Sequence, residues 1–336
     1  MGKLSSPWKP KLIREFLEGA EDTTRWIVPN FIPCEALVLV SGPRKLAWKT
    51  WLADFLTLVV AEGIQCGPVT PALTGPVIYF EEEGTARGTA ERWAGFERTF
   101  ELNLKESENL FYVFRDRVRL DDEAWTKKII GAVQTLKPLM VVFDALTYMH
   151  GADENKTVEM RPVVETLQRI RALGTTCLFL THTNTAGSQD PKMDEDMGVR
   201  GSKVILDAYD VHLALRRFRD SDPHIKLKVR QREGSQRVLN VTWDLRTEVD
   251  EEEQIEQVMH VMPHFSDVET QPEFQRKQRV DLLAEMVIGT MYSFGKLQEI
   301  TKLTKKRLTR ELNQLLEQEK IAAVKNGKHT MYKREE

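Results

Sequence analysis

An apolar run from Ala36 to Val40 leads into a short loop that contains Gly42, then into Lys49-Thr50 and a helical stretch. Strand, glycine-containing loop, Lys-Thr and helix follow one another in this order in phosphate-binding loops. There, backbone N–H groups and the helix N-terminus surround phosphate oxygens. The pattern therefore predicts an anion site at the point where a strand of an α/β sheet ends.

This loop departs from the pattern Gly-x-x-x-x-Gly-Lys-Ser/Thr in two ways. Trp48 occupies the position of the second glycine, and Gly42 lies one residue too far upstream. Glycines let the backbone approach phosphate and adopt positive φ, which costs free energy for a tryptophan. We predict a nucleotide site with an altered loop, in which Gly42 and Lys49 contact the nucleotide and Thr50 binds Mg²⁺.

Short β-rich runs alternate with helical stretches between residues 26 and 245. This alternation predicts βαβ units, and hence an α/β fold with a mostly parallel sheet and flanking helices. The predicted strands are 36–40, 76–80, 110–114, 138–143, 176–181 and 209–215. The predicted helices are 50–62, 87–100, 122–136 and 157–173. Two alternating runs, 224–230 and 237–245, predict a closing antiparallel hairpin.

Polar side chains follow three of these predicted strands: the glutamates 81–83, Asp144 and His182. In open α/β sheets ligands bind outside the carboxyl ends of the strands, so we expect these side chains near the Lys-Thr pair. A glutamate would then activate water, Asp144 would bind Mg²⁺ and His182 would sense the γ-phosphate. Each also has a structural interpretation, as a solvated loop, a common strand ending or an exposed histidine.

The region from about 26 to 245 resembles the RecA-like ATPase core of the DnaB/RepA group of replicative helicases. The resemblance rests on the entry segment 26–33, Tyr79-Phe80-Glu81-Glu82-Glu83, Asp144-Ala145-Leu146 with 151–155, Arg200-Gly201-Ser202 with 208–211, and Arg230-Gln231-Arg232-Glu233-Gly234.

This resemblance implies ATP and Mg²⁺ as ligands, Glu83 as the catalytic glutamate and His182 as the sensor. Lys45 is similar to the extra lysine of looser Gly-x-x-Lys-x-x-Lys-Thr loops in RepA-like ATPases, which implies a further nucleotide contact. Arg230 and Arg232 lie on a segment that resembles the Lys-Gln-Arg-Asn-Gly hairpin of DnaB-type helicases. By that resemblance they reach the γ-phosphate of a neighbouring subunit in a homo-oligomer such as a hexamer. The alternative is a solvated basic edge.

Residues 276–336 predict a small DNA-binding domain. A helical turn at 296–301, a helix at 304–316 and two short runs joined through Asn326-Gly327 resemble a winged helix-turn-helix. Leu308, Leu312, Leu315 and Leu316 form one apolar face of the second helix. Residues 296–336 hold eleven Lys and Arg against six Asp and Glu. The predicted phosphate contacts are Lys305, Lys306, Arg307, Arg310, Lys325 and Lys328.

The predicted organisation is an N-terminal arm (1–25), the ATPase domain (26–245), an acidic linker (246–275) and the winged-helix domain (276–336). No apolar run reaches the roughly 20 residues that span a bilayer, and the first residues lack the apolar stretch of a signal peptide. The three cysteines are far apart and have no metal-ligand spacing. We expect a cytoplasmic protein without a membrane partner.

Two functions of different classes fit these features. The first is an ATP-driven, helicase-like or DNA-remodelling motor in replication or recombination of a mobile element. The second is a non-hydrolysing DNA-binding adaptor or regulator whose assembly state is set by nucleotide. Trp48 favours the second, as does an acidic loop, 184–199, that would repel a phosphate backbone. ATP turnover and unwinding distinguish the two.

Overall fold

The structure is a computed structural model. It describes residues 12–14, 25–43, 48–154, 156–183, 203–217, 224–232, 234, 236–250, 255–267, 282, 286–301, 305–318, 320–326 and 329–334. Most of the predicted N-terminal arm, Lys45, the acidic loop 184–199 and Lys328 lie outside these residues. The chain divides into two compact units, Met1–Val268 and Glu269–Glu336.

The first unit is built on a large, mostly parallel sheet. A short antiparallel pair, β1 (Trp26–Val28) and β2 (Ile32–Pro33), precedes it. The strands of the large sheet are β3 (Leu37–Gly42), β4 (Val77–Glu81), β5 (Leu110–Phe114), β6 (Met140–Asp144), β7 (Thr176–His182), β8 (Val211–Arg216), β9 (His224–Gln231), β10 (Gln236–Asp250) and β11 (Ile255–Asp267). Their order is β11-β10-β9-β8-β3-β7-β6-β4-β5. The six strands from β8 to β5 pair in parallel, and β9, β10 and β11 continue antiparallel.

Helices cover both faces of this sheet. They are α1 (Lys49–Glu62), α2 (Ala86–Phe100), α3 (Glu123–Leu136), α4 (Thr157–Arg171) and α5 (Lys203–Ala208). Side chains of α1 and α2 pack in the apolar cluster on one face, and those of α3, α4 and α5 pack in the cluster on the other. Side-chain caps start two of them: Thr85 accepts from the Gly88 N–H, and Asp122 accepts from the Ala124 and Trp125 N–H groups.

The central strands follow from the sequence directly. All residues of β3, β6 and β7 are buried, as their nearly continuous apolar composition predicts for strands covered on both faces. Parallel pairing brings the carboxyl ends of neighbouring strands to one edge, and Glu81 on β4 lies in register with Asp144 on β6. The α/β fold with a mostly parallel sheet is therefore confirmed.

The acidic linker predicted at 246–275 is wrong over most of its length. β10 continues to Asp250, and Ile255–Asp267 form β11, which pairs with it. Val258 and Val261 of β11 are buried against the first apolar cluster, and the Phe265 ring lies 5.9 Å from that of Phe55 in α1. The acidic run from Glu248 to Glu253 had indicated a linker. Glu248, the glutamate of this run that the structure describes, is instead an exposed residue of the strand β10.

The second unit contains two helices and a small antiparallel sheet among its described residues. Its elements are β12 (Met291–Ser293), α6 (Phe294–Thr301), α7 (Lys305–Glu317), β13 (Ile321–Asn326) and β14 (His329–Arg334). The strand order is β12-β14-β13. Leu308 and Leu312 are buried, with Leu315 and Leu316 packed beside them, so the predicted apolar face of α7 is confirmed. None of the helices in the described part of the chain is long and apolar enough to cross a membrane.

Candidate functional site

A cavity of about 570 Å³ opens at the carboxyl ends of β4, β6 and β7. It brings together five of the residues that the sequence analysis selected, namely Lys49, Thr50, Glu83, Asp144 and His182. They come from four separate parts of the chain, so only the parallel sheet could assemble them. This volume lies within the range of small-molecule sites.

Lys49 is the first residue of α1, and its side chain is buried against the start of the preceding loop. Its Nζ donates hydrogen bonds to the carbonyl oxygens of Gly42 at 3.0 Å and Pro43 at 3.1 Å. The Gly42 carbonyl also accepts from the Thr183 N–H at 3.1 Å, which ties the loop to the end of β7. The structure thus places Gly42 beside Lys49 as a backbone contact, whereas the predicted contact of Lys45 cannot be described.

Trp48 stands immediately before Lys49 with φ 54° and ψ 36°, in the left-handed region. A glycine would adopt this conformation freely, whereas for another residue it costs about 1–2 kcal/mol. The indole packs against two other tryptophans, stacked on Trp243 of β10 with centroids 5.6 Å apart and tilted against Trp51 at 5.4 Å. Trp48 therefore adopts a glycine-like backbone conformation directly before the lysine, and aromatic packing holds its side chain.

Thr50 and Asp144 are in contact. The Thr50 hydroxyl donates to the Asp144 carboxylate, and the Tyr79 hydroxyl donates to Asp144 Oδ2 at 3.0 Å. Burial, together with the nearby carboxylates of Asp54 and Glu81, raises the pKa of Asp144 to about 7. The surroundings therefore stabilise the ionised form of Asp144 too little, and a cation bound here would favour that form.

Glu83 and His182 lie beside each other in the lining of the cavity. Glu83 Oε2 lies 3.6 Å from His182 Nε2, and the Glu83 side chain is 41% exposed. His182 is buried, and among the described residues neither of its ring nitrogens has a hydrogen-bond partner. A partly exposed carboxylate next to a buried imidazole is positioned to contact a ligand that enters the cavity.

Arg92 and Glu81 also line the cavity and, together with Asp54, form a charged group that we call the Arg92 cluster. Of these three residues the sequence analysis named only Glu81. The Arg92 guanidinium donates to Asp54 Oδ2 at 2.9 Å and to Glu81 Oε2 at 3.0 Å. Burial raises the pKa of Asp54 despite this ion pair. Burial alone would lower the pKa of Arg92, but the two carboxylates raise it, so Arg92 stays charged.

Glu81 and Glu83 therefore have different environments although they are two residues apart. Glu81 is buried and also accepts from the hydroxyls of Thr89 and Tyr112. Both glutamates line the cavity, but the Glu81 oxygens are occupied by hydrogen bonds within the protein, whereas the Glu83 side chain is 41% exposed. The resemblance, with the spacing from Tyr79, had selected Glu83. Arg92 is one of several charged residues on α2, and a charged residue on an amphipathic helix is usually solvated, so the sequence carries little signal for it.

The two predicted finger arginines are not among the described residues that line the cavity. Arg230 lies on β9, opposite His212 of β8. Arg232 lies in the turn after β9, where its N–H donates to the Asp210 carbonyl at 2.8 Å and its guanidinium donates to the Asp207 carbonyl. Any contact of these arginines with a phosphate must therefore be made outside this cavity.

The predicted DNA-contacting residues belong to the second unit. Lys305 at the start of α7 and Lys325 on β13 are exposed. Lys306, Arg307 and Arg310 lie along α7. Their role in DNA binding stays a prediction.

Residues 7–188, more than half of the chain, match a protein family described as AAA domain. The chain belongs to this family. AAA domains of this kind are P-loop ATPase domains, so the match agrees with the Lys-Thr pair at the start of α1, the strand-end carboxylates and the sheet. No curated protein matches the sequence.

The residues present fit the nucleotide and Mg²⁺ that an AAA domain uses. Hydroxyl and carboxylate oxygens are the ligands that Mg²⁺ prefers, and Thr50 and Asp144 offer one of each in direct contact. The excess negative charge around Asp144 is what a divalent cation would compensate. Within the described residues no group of three or more His, Cys, Asp or Glu could hold a metal by itself, so phosphate oxygens and water would complete the coordination.

Proposed function

We propose that this AAA domain is a RecA-like ATPase of the DnaB/RepA group that hydrolyses ATP and acts on DNA. The observation that carries the proposal is the convergence of Lys49, Thr50, Glu83, Asp144 and His182 on one cavity. Lysine, hydroxyl, metal-binding carboxylate and a second, partly exposed carboxylate are the groups that phosphoryl transfer to water requires.

Each side chain has a role that its surroundings support. Lys49 would exchange its bonds to the Gly42 and Pro43 carbonyls for β- and γ-phosphate oxygens. Thr50 and Asp144 would hold Mg²⁺, which neutralises developing phosphate charge when bound. Glu83 would orient a water toward the γ-phosphorus, so that the new P–O bond forms as the bond to ADP breaks. His182, beside Glu83, would contact the γ-phosphate and report its loss.

Two features support action on DNA by an assembly of several copies. The second unit has the helix, helix and hairpin order of a winged helix-turn-helix, with Lys305 and Lys325 exposed. Arg230 and Arg232 lie away from the cavity of their own chain. A neighbouring copy would therefore supply the cationic fingers, as in a ring such as a hexamer. The setting we propose is replication or recombination of a mobile element.

The test is steady-state ATP hydrolysis with and without single- and double-stranded DNA. We expect turnover that DNA stimulates, loss of nucleotide binding in Lys49→Ala, and loss of turnover with retained binding in Glu83→Gln. Glu82→Gln is the matched control, since Glu82 Oε1 accepts from the Val118 N–H and does not line the cavity. Turnover that persists in Glu83→Gln would refute the assignment of Glu83.

A non-hydrolysing DNA-binding adaptor is the second candidate. One observation favours it: Trp48 replaces the loop glycine and holds the left-handed turn with a bulky side chain. Nucleotide would then set only the assembly state. In that case ATP binds and changes the oligomer size measured by light scattering, while turnover stays at the level of Glu83→Gln.

A further inference from the structure

One wall of the cavity is apolar and is formed by residues with no place in the phosphate chemistry. Trp48 and Trp51 line it from the first turn of α1, and Leu245 lines it from β10. Trp243 stands behind, with its ring centroid 5.6 Å from Trp48 and 6.3 Å from Trp51. We call Trp48, Trp51 and Leu245 the aromatic wall.

The aromatic wall adjoins the phosphate site through the backbone. Trp48 is the residue before Lys49, and both line the same cavity, so a ligand whose phosphates reach Lys49 lies close to the aromatic wall. Most of the remaining lining is polar and includes the cations Lys49 and Arg92 together with side chains at the ends of β4, β6 and β7. A ligand that fills the cavity would therefore combine a polyanionic end, bound by Lys49 and by Mg²⁺ at Thr50 and Asp144, with a flat apolar end.

The wall is also held in place before any ligand arrives. The rings of Trp48 and Trp243 are stacked at 18° to each other, and Trp51 packs on Phe96 of α2 with centroids 5.8 Å apart. Side chains that are already fixed lose little conformational entropy on binding, which favours affinity. Leu245 is still 36% exposed, so this surface is not closed by the protein itself.

We propose that the aromatic wall binds the base of a nucleoside triphosphate and accepts any base. This inference rests on the proposed function, because it assumes that the polar side of the cavity binds the triphosphate. Stacking on aromatic rings tolerates base identity, since every base has a π-face. The substitution of glycine by Trp48 then adds a base contact to the phosphate loop.

Calorimetric titration of the full chain with Mg²⁺ and either ATP, GTP, CTP or tripolyphosphate tests this wall. We expect the native protein to bind ATP about tenfold more tightly than tripolyphosphate, with GTP and CTP close to ATP. Trp48→Ala should remove most of this preference, and Leu245→Ala should reduce it by a smaller factor. Both should leave tripolyphosphate affinity within about twofold of the native value.

The matched control is Val249→Ala, four residues further along β10, because Val249 is 60% exposed and does not line the cavity. It should change no affinity. Equal affinities of the native protein for ATP and tripolyphosphate would overturn the aromatic wall and leave the ATPase proposal standing. If Trp48→Ala lowers the affinities for ATP and tripolyphosphate equally, and Leu245→Ala changes neither, Trp48 shapes the loop and does not bind the base. A native protein that binds neither ligand would refute the proposed function itself.

Discussion

At the scale of single residues, Trp48 combines an unfavourable backbone with favourable packing. Its left-handed φ costs free energy, and its indole recovers part of this cost through the contacts with Trp243 and Trp51. The two contributions can be separated, because alanine and glycine both remove the indole but only glycine relieves the backbone.

We expect Trp48→Gly to have a free energy of unfolding about 1 kcal/mol higher than Trp48→Ala. Both variants should be less stable than the native protein, since both leave the space beside Trp243 unfilled. Urea unfolding followed by circular dichroism measures the difference. An alanine variant as stable as the glycine variant would mean that the loop relaxes and carries no strain.

Asp144 gives the second prediction at this scale. Its pKa of about 7 in the folded protein lies above the ordinary value of 3.8, mainly because it is buried. The folded state therefore keeps a proton that the unfolded chain releases. The stability that this proton contributes is complete below pH 3.8 and is lost as the pH rises to about 7.

We therefore expect Asp144→Asn, which cannot ionise but can still accept the Tyr79 hydrogen bond, to gain stability relative to the native protein as pH rises. Melting temperatures between about pH 5 and pH 8, without nucleotide and with EDTA, give the comparison. Added Mg²⁺ should reduce the difference in melting temperature between the two proteins near pH 8, because it stabilises the ionised Asp144 of the native protein. If the melting temperatures of the two proteins change in parallel with pH, Asp144 does not titrate in this range.

At the scale of elements, the packing of β11 on α2 depends on one glycine. A Cβ built on Gly95 would lie 2.3 Å from Val258 Cγ1. Arg98 also donates to the Val258 carbonyl at 2.6 Å, and the Thr99 hydroxyl accepts from the Val261 N–H at 2.8 Å. Residues 95–99 of α2 therefore form the surface on which β11 packs.

We expect Gly95→Ala to lower the free energy of unfolding by about 1–3 kcal/mol, because the added methyl group must displace β11. Gly131→Ala is the matched control on α3, where nothing lies within 4 Å of the added atom. That change should raise stability by about 0.5–1 kcal/mol, since alanine is the better helix former. If both substitutions stabilise, β11 does not pack on α2 as described.

The elements also show what the sequence can and cannot predict. β3, β6 and β7 are fully buried, so composition alone locates them to within two residues. β11 was missed because its buried residues, Val258 and Val261, are three positions apart, which breaks the alternation typical of a strand, and because they follow an acidic run. Arg92 was missed because a charge on a helix is usually solvated, and only the fold brings Asp54 and Glu81 to it.

At the scale of the whole molecule, the proposed division of labour assigns ATP to the first unit and DNA to the second. We expect the double variant Lys305→Glu, Lys325→Glu to weaken DNA binding. It should also lower the slope of log affinity against log salt by about 0.9 for each DNA phosphate that the variant no longer neutralises. Turnover without DNA should stay unchanged. Fluorescence anisotropy with labelled duplex at several salt concentrations measures both the affinity and the slope.

The matched control for charge is Lys127→Glu with Lys137→Glu, which makes the same change on α3 and at its end in the first unit. DNA affinity and salt slope should then stay close to the native values. If both double variants weaken binding equally, the effect is one of net charge, and the second unit has no special role.

The late position of β11 has a consequence for synthesis of the protein. α1, the most buried helix of the first unit, is covered in part by Phe265, which lies about two hundred residues later in the chain. Ribosomes add about 5–20 residues per second, so this face of α1 stays uncovered for about 10–40 s until Phe265 has been synthesised. During that interval a newly made chain offers an apolar surface to chaperones or to other nascent chains. Any dependence of yield on growth temperature and chaperone supply should therefore originate in the first unit, and a chain that ends before Phe265 keeps this surface of α1 uncovered.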